Sequence, residues 1–395
     1  MMVDSEQVNV QTRVGEVLAP LVARRLEIQR RQSDEGSYPG EFWQALAEAG
    51  VLGGMIPQAY GGSGIGALGV AVALEESAAL DVGNFLPVLT SLAAMAVARH
   101  GGDGLKKAVL PEIAAGRMRV GFAATERAAG FNVFRTALTA ARSGDDYVLN
   151  GEKRLISAVD VADRLLVLAR TQSAEDAVRE GLGKTYGLSL FLVDTGAAGL
   201  SRREMETGTA GGVLRQYELA FDAVRVPAMQ LVGPEHGGAL PLLTCINLER
   251  VLTAALAVGI SRHCLDVACE HARTRSIFGS TPIGRYQAVQ HPLAEVRIRQ
   301  EALRLLVHEA ARKIDRDDGG QDAGLAANAA KFLGGELAVK AVDAAIDALG
   351  GRGFEEETGM MRLWQAARLM QTSPISDALV LNFVAEHNLA LPRSS

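Results

Sequence analysis

Cysteine is scarce. The chain has three in 395 residues, Cys245, Cys264 and Cys269, without a CxxC pair and all within one helical stretch. An odd count at that spacing excludes a disulfide framework, and the three read as reduced, mostly buried thiols. Seven scattered histidines give no metal-ligand pattern. His308-Glu309 begins an HExxH-like string, but Arg312 stands where the second histidine belongs, which argues against zinc. No run of apolar residues reaches the ~18 that span a bilayer. The start, MMVDSEQVNV, has neither a basic nor an apolar stretch, so it does not read as a secretory signal, and the expected location is cytoplasmic. A strong charge is also missing: the formal net charge is −6 and the pI near 5.8, which argues against a nucleic-acid partner.

What is present is a globular composition, 48% hydrophobic and 22% charged, in a chain long enough for two or three packed units. Up to about Met118 the apolar spacing is helical, with helices predicted over 41–50, 67–80, 86–99 and 104–115. From Val120 the period changes. GFAAT, TALTAAR, RLLVLAR, YGLSLFLVD, YELAF and VRVP read as strands, and Tyr147-Val148-Leu149 running into Asn150-Gly151 predicts a hairpin turn there. From Gly237 on, helices are predicted over 241–274, 285–316, 321–349 and 375–389, with apolar stripes wide enough for a buried bundle. The expected fold is α+β, mainly α. It has an N-terminal helical domain (1–118), a middle β-barrel or sandwich domain (119–234) and a C-terminal four-helix bundle (235–395).

Four motifs could carry chemistry. Gly64 to Gly69 matches GxGxxG, but helices flank it, so it reads as a helix-to-helix connection. Gly350-Gly351-Arg352-Gly353-Phe354 is either bare backbone that a cofactor approaches or a helix C-cap with a turn. Arg275, in RSIFG at the end of a long helix, either binds a phosphate or complements the helix dipole. Glu249 sits among apolar residues in INLERV. It is either a base of raised pKa, or a solvated glutamate or structural partner of Arg250.

Taken together and in order, these segments resemble the acyl-CoA dehydrogenase family over nearly the whole chain. The resemblance rests on FWQALAEAGVLGGMIPQAYGGSGIG, VLPEIAAGRMRVGFAATERAAG, GDDYVLNGEKRLIS, RSIFG with Gln287, and ALGGRGF. It implies a flavoenzyme that binds FAD. Thr125 matches the residue on the flavin pyrimidine ring and Ser157 the one near flavin N5. Arg275, Phe278 and Gln287 match residues that hold the ADP half across a subunit interface, and Gly350 and Gly351 match glycines against that same half. A homotetramer or homodimer is therefore implied. The family's usual catalytic glutamate position falls on Pro374, which carries no carboxylate. Leu248-Glu249-Arg250 instead resembles the helix-borne motif of the isovaleryl-CoA dehydrogenase branch, which implies Glu249 as the base.

Phe131, Arg250 and Pro374 fall at positions that face the substrate. Phe131, Leu155, Ala158, Asp347 and Gln365-Ala366 depart from the family pattern. The activity implied is α,β-dehydrogenation of an acyl thioester, with a short or branched acyl group expected. Electrons would pass to an electron-transfer flavoprotein or similar acceptor. The same fold also accommodates a flavin monooxygenase, a dehydrogenase of carrier-protein-bound acyl groups, and a non-catalytic subunit of a mixed oligomer.

Overall fold

The structure, a computed structural model, describes all residues except 1–4, 33–37, 184, 208–213, 278, 317–320 and 394–395. Six helices come first: α1 (Ser5–Ala23), α2 (Arg25–Arg30), α3 (Gly40–Glu48), α4 (Gly66–Ala79), α5 (Leu86–His100) and α6 (Asp103–Ala114). The β unit follows, with β1 (Val120–Ala123), β2 (Thr139–Ser143), β3 (Asp146–Ser157) and β4 (Arg164–Arg170). A short α7 (Ala174–Arg179) then precedes β5 (Leu188–Asp194), β6 (Leu200–Glu204), β7 (Gln216–Pro227) and β8 (Leu231–Val232). The chain closes with α8 (Ala239–Thr274), α9 (Gln287–Asp315), α10 (Gln321–Leu349), α11 (Met360–Met370) and α12 (Asp377–His387). The expected helical–β–helical architecture is present.

The strands form one sheet in the order β6-β7-β3-β2-β4-β5-β8, with β1 added in parallel to β4. In β4 and β5 both faces are buried. Leu165, Val167, Phe191 and Val193 fill the interior of the β unit. The alternate residues Leu166, Leu168, Leu190 and Leu192 join the helical core. Side chains alternate with period two along a strand, so a strand buried on both faces reads as a continuous apolar run, which RLLVLAR and LSLFLVD are.

The hairpin expected at Asn150-Gly151 is not there. β3 runs straight through it, and the turn between β2 and β3 falls at Gly144-Asp145. Asn150-Gly151 instead forms a register shift against β7. Gly151 has φ +136°, a Cβ there would lie 3.0 Å from the Leu138 Cα, and the Asn150 Oδ1 accepts from the Ala223 N–H at 2.9 Å. The same conformational tolerance that suits Asn-Gly to a turn suits it to a bulge. The GxGxxG segment straddles the start of α4: Gly64 and Ile65 end the connection and Gly66 to Gly69 form the first turn of the helix.

α8 is long and apolar enough to cross a membrane by length and composition, yet 78% of its apolar window is buried inside the protein. It is the central helix, packed by α4, α5, α9 and α10. Close approach of α4 depends on Gly259, where a Cβ would meet the Glu75 carbonyl oxygen at 2.2 Å. Three helices, α1, α2 and α11, were not resolved as separate elements by the sequence pattern, nor was the short α7.

Candidate active site

One pocket gathers six of the residues that the sequence singled out. Thr125, Phe131, Ser157, Glu249, Arg250 and Pro374 all line a cleft of about 170 Å³ between the β unit and the C-terminal helices. β1 delivers Thr125 just past its end, and β3 ends on Ser157. α8 supplies Glu249 and Arg250, and the segment after α11 supplies Pro374.

A buried ion pair fixes the β side. The Lys153 Nζ donates to Glu126 Oε1 at 2.8 Å and to the Ala124 carbonyl at 2.9 Å, with no exposed side-chain surface on Lys153. The Glu126 carboxylate accepts in turn from the Ala137 and Leu138 N–H groups at 2.7 and 3.1 Å. Arg154 N–H closes the arrangement on the Thr125 carbonyl at 2.9 Å. Burial pulls Lys153 down to about 8, with Glu126 opposing. The pair is satisfied on both sides, the condition under which a buried ion pair fixes geometry. Leu155 and Ala158, at φ +56° and +62°, hold non-glycine residues in the left-handed region on either side of Ser157. Such strain concentrates at sites where side-chain placement matters. Ser157 Oγ accepts from the Gln216 Nε2 at 2.8 Å.

On the helical side, Glu249 is 5% exposed and its carboxylate accepts no hydrogen bond from the described residues. Burial pushes its pKa up to about 7, with the Arg250 charge opposing. Arg250 is pulled down to about 10 by its own burial. Its guanidinium donates to Asn247 Oδ1 at 2.9 Å and its Nε is buried without a partner among the described residues. Phe131, 66% exposed, stands at the mouth. Pro374 brings no N–H to the pocket wall.

Sequence reasoning missed Phe85, Leu89, Leu242, Ile246 and Gln216. For two of these a signal existed. Leu242, Ile246, Glu249 and Thr253 recur at helical spacing and share one face of α8, so the apolar lining of the base was readable from its own helix. Gln216 reaches Ser157 across 59 residues, which no local pattern reports.

The remaining residues lie elsewhere. Arg275 ends α8, about 39 Å of helix beyond Glu249. Gln287 opens α9, and Gly350 and Gly351 follow α10. All four are exposed. Arg275 and Arg352 both lower the His271 pKa, after its burial, so both charges stand near the C-terminal end of α8. Gly350, just past the end of α10 at φ +60°, adopts the left-handed conformation of a helix C-cap, which accounts for its glycine; at Gly351 a Cβ would meet nothing within 4 Å, so internal packing does not require glycine there. Phe278 lies outside the described residues. The structure thus has a buried pocket able to take up a proton at a carboxylate. It also has a separate exposed surface, rich in arginine and glycine, suited to a phosphate-bearing group.

Three sequence-family models match, described as the N-terminal, middle and C-terminal domains of acyl-CoA dehydrogenase, over residues 5–117, 121–224 and 236–387. The chain is 38% identical over 359 residues to the acyl-CoA dehydrogenase FadE12 of Mycobacterium tuberculosis, covering 90% of each. It is 33% identical to the cyclohex-1-ene-1-carbonyl-CoA dehydrogenase of Geobacter metallireducens, covering 90% of this chain and 92% of that protein. The structure of butyryl-CoA dehydrogenase from Megasphaera elsdenii superposes with a TM-score of 0.86 at 25% identity, covering 98% of this chain and 99% of that one. With all three domains matched in order across the helical, β and helical units, the chain belongs to the acyl-CoA dehydrogenase family of flavin-dependent oxidoreductases.

Proposed function

We propose that this protein oxidises an acyl-CoA to its 2-enoyl thioester, with Glu249 as the base that removes the α-proton. The observation that carries this reading is the buried carboxylate of Glu249 in the same pocket as Thr125 and Ser157. FAD, the cofactor, supplies a two-electron acceptor for the β-hydride when bound there. Thr125 and Ser157 fit its ring edge: one is fixed by the Lys153 lock, the other by Gln216. Arg275, Phe278, Gln287, Gly350 and Gly351 would hold its ADP half, across a subunit interface of a homotetramer or homodimer.

The chain's own part follows from position and charge. Glu249 needs a pKa close to working pH, because a base that is too acidic does not take a carbon-bound proton. Burial beside Leu242 and Ile246 provides that shift. Arg250 keeps part of the carboxylate ionised. Pro374 and Phe131 wall the pocket and exclude water. Positioned base catalysis of this kind contributes ~10²–10⁴-fold. Re-oxidation falls to an electron-transfer flavoprotein or similar acceptor, and the expected location is cytoplasmic.

The test is an anaerobic titration of the purified holoprotein with a panel of acyl-CoAs, following flavin absorbance. Bleaching by one acyl class is the expected result. A yellow protein that no acyl-CoA bleaches would overturn the assignment.

A further inference from the structure

A second cavity, about 110 Å³, opens beside the first and shares Phe85, Ser157 and Ser373 with it. Its long wall is the face of α8 that carries the base. Thr253, Leu256 and Ile260 follow Glu249 at helical spacing and all line it, which extends the stripe over about 16 Å of helix. Whatever lies against Glu249 and continues along that stripe enters this cavity. In the reading above, on which this inference rests, that is the acyl chain. Leu363, Leu369 and Met370 give the cavity an apolar opposite wall.

The far end is not apolar. Asp81, Asn84 and Arg362 line it. Asp81 is buried, and its acceptors are already engaged. Arg362 donates to its Oδ1, and Gln29 to its Oδ2 at 3.1 Å, while Arg25 and His263 stand 3.8 and 3.9 Å from Oδ2. One carboxylate therefore faces two guanidinium groups. Asn84 is 7% exposed. Its Oδ1 accepts from the Tyr38 hydroxyl and the Leu86 N–H, but its Nδ2 is buried with no partner among the described residues. A buried donor left unpaired is costly, and Asn84 is among the residues that line the cavity. The missing group is a hydrogen-bond acceptor.

We infer that the acyl chain oxidised here carries an acceptor oxygen at its far end, a carbonyl, carboxylate or hydroxyl, which Asn84 and Arg362 recognise. The short or branched hydrocarbon expected from the sequence would leave that end of the cavity unfilled. A site built to hydrogen-bond a substrate group discriminates strongly against the analogue that lacks it.

The experiment compares straight-chain acyl-CoAs of increasing length with ω-carboxy and oxo counterparts of equal length. Anaerobic flavin reduction is followed with the thioesters, and calorimetric dissociation constants are measured for the non-reactive thioether analogues. About tenfold or greater preference for the oxygenated member is expected once the chain is long enough, in both kcat/KM and Kd. Asn84→Asp keeps the acceptor toward Tyr38 and Leu86 but replaces the donor with a carboxylate, and that ratio should fall toward one or below. If Asn84→Asp does not fold, Arg362→Lys, which retains charge against Asp81 but not the planar fork, should lower the ratio instead. A carboxylate preference assigns the larger share to Arg362, and an oxo preference assigns it to Asn84. Equal rates and affinities for plain and oxygenated chains at every length would overturn the inference while leaving the dehydrogenase standing. Failure of every acyl-CoA to bleach the flavin would instead remove both.

Discussion

Glu249 combines two properties that pull against each other. A carboxylate held near 7 by burial destabilises the fold once it ionises. Its folded-state value lies above the ordinary 4.5, so its contribution to stability is full below about 4.5 and is lost as pH rises through about 7. Glu249→Gln should therefore be more stable than the parent between pH 5 and pH 8, by up to roughly 3 kcal/mol at the alkaline end, read from denaturant unfolding. The same substitution should reduce the rate of flavin reduction by ~10²-fold or more while the yellow colour is retained. In the parent, that rate should climb with pH through about 7, as the base loses its proton. A flat profile from pH 5 to 8 would count against Glu249 as the proton acceptor. Lys153 is the other residue of consequence. Lys153→Met strands the buried Glu126 carboxylate and should cost about 3–5 kcal/mol in denaturant unfolding, with weaker FAD retention as the Thr125 segment loosens.

At the scale of elements, legibility followed the range of the interactions. α4, α5, α8, α9 and α10 were readable because long apolar stripes or runs mark them. β4 and β5 were readable because burial on both faces leaves an unbroken apolar run. The turn at Gly144-Asp145 was displaced to Asn150-Gly151 because both dipeptides tolerate the same backbone, and only pairing with β7 decides between turn and bulge. Glu249 was readable as a residue of interest on its helix, but its burial is produced by elements far away in the chain. Asn84 and Arg362 were invisible for the same reason: 278 positions separate them, and one shared cavity makes them a pair. α8 and α4 offer a test at this scale. Gly259→Ala would push a methyl group into the Glu75 carbonyl, which is backbone and does not swing aside. A loss of about 1–3 kcal/mol is expected, read as a lower denaturant midpoint.

For the whole molecule, the separation between base and arginine end is the informative dimension. About 39 Å of α8 lies between Glu249 and Arg275. If the ADP half of FAD is held across a subunit interface, cofactor and assembly are linked, and each stabilises the other by mass action. Arg275→Ala should lose FAD on gel filtration, and dilution of the parent should release flavin in step with subunit dissociation. Flavin that stays bound to monomers would place the ADP half within one protomer.

The double-sided burial of β4 and β5 bears on how substrate reaches the base. Leu166, Leu168, Leu190 and Leu192 belong to the same apolar core as the helices, so swinging the β unit away like a jaw would wet all four. At ~1.5–3 kcal/mol for each side chain of that size, the four together oppose such a hinge by roughly 6–12 kcal/mol, so the opened form is rare at equilibrium. Rearrangement of exposed lining side chains such as Phe131, by contrast, leaves that shared core intact.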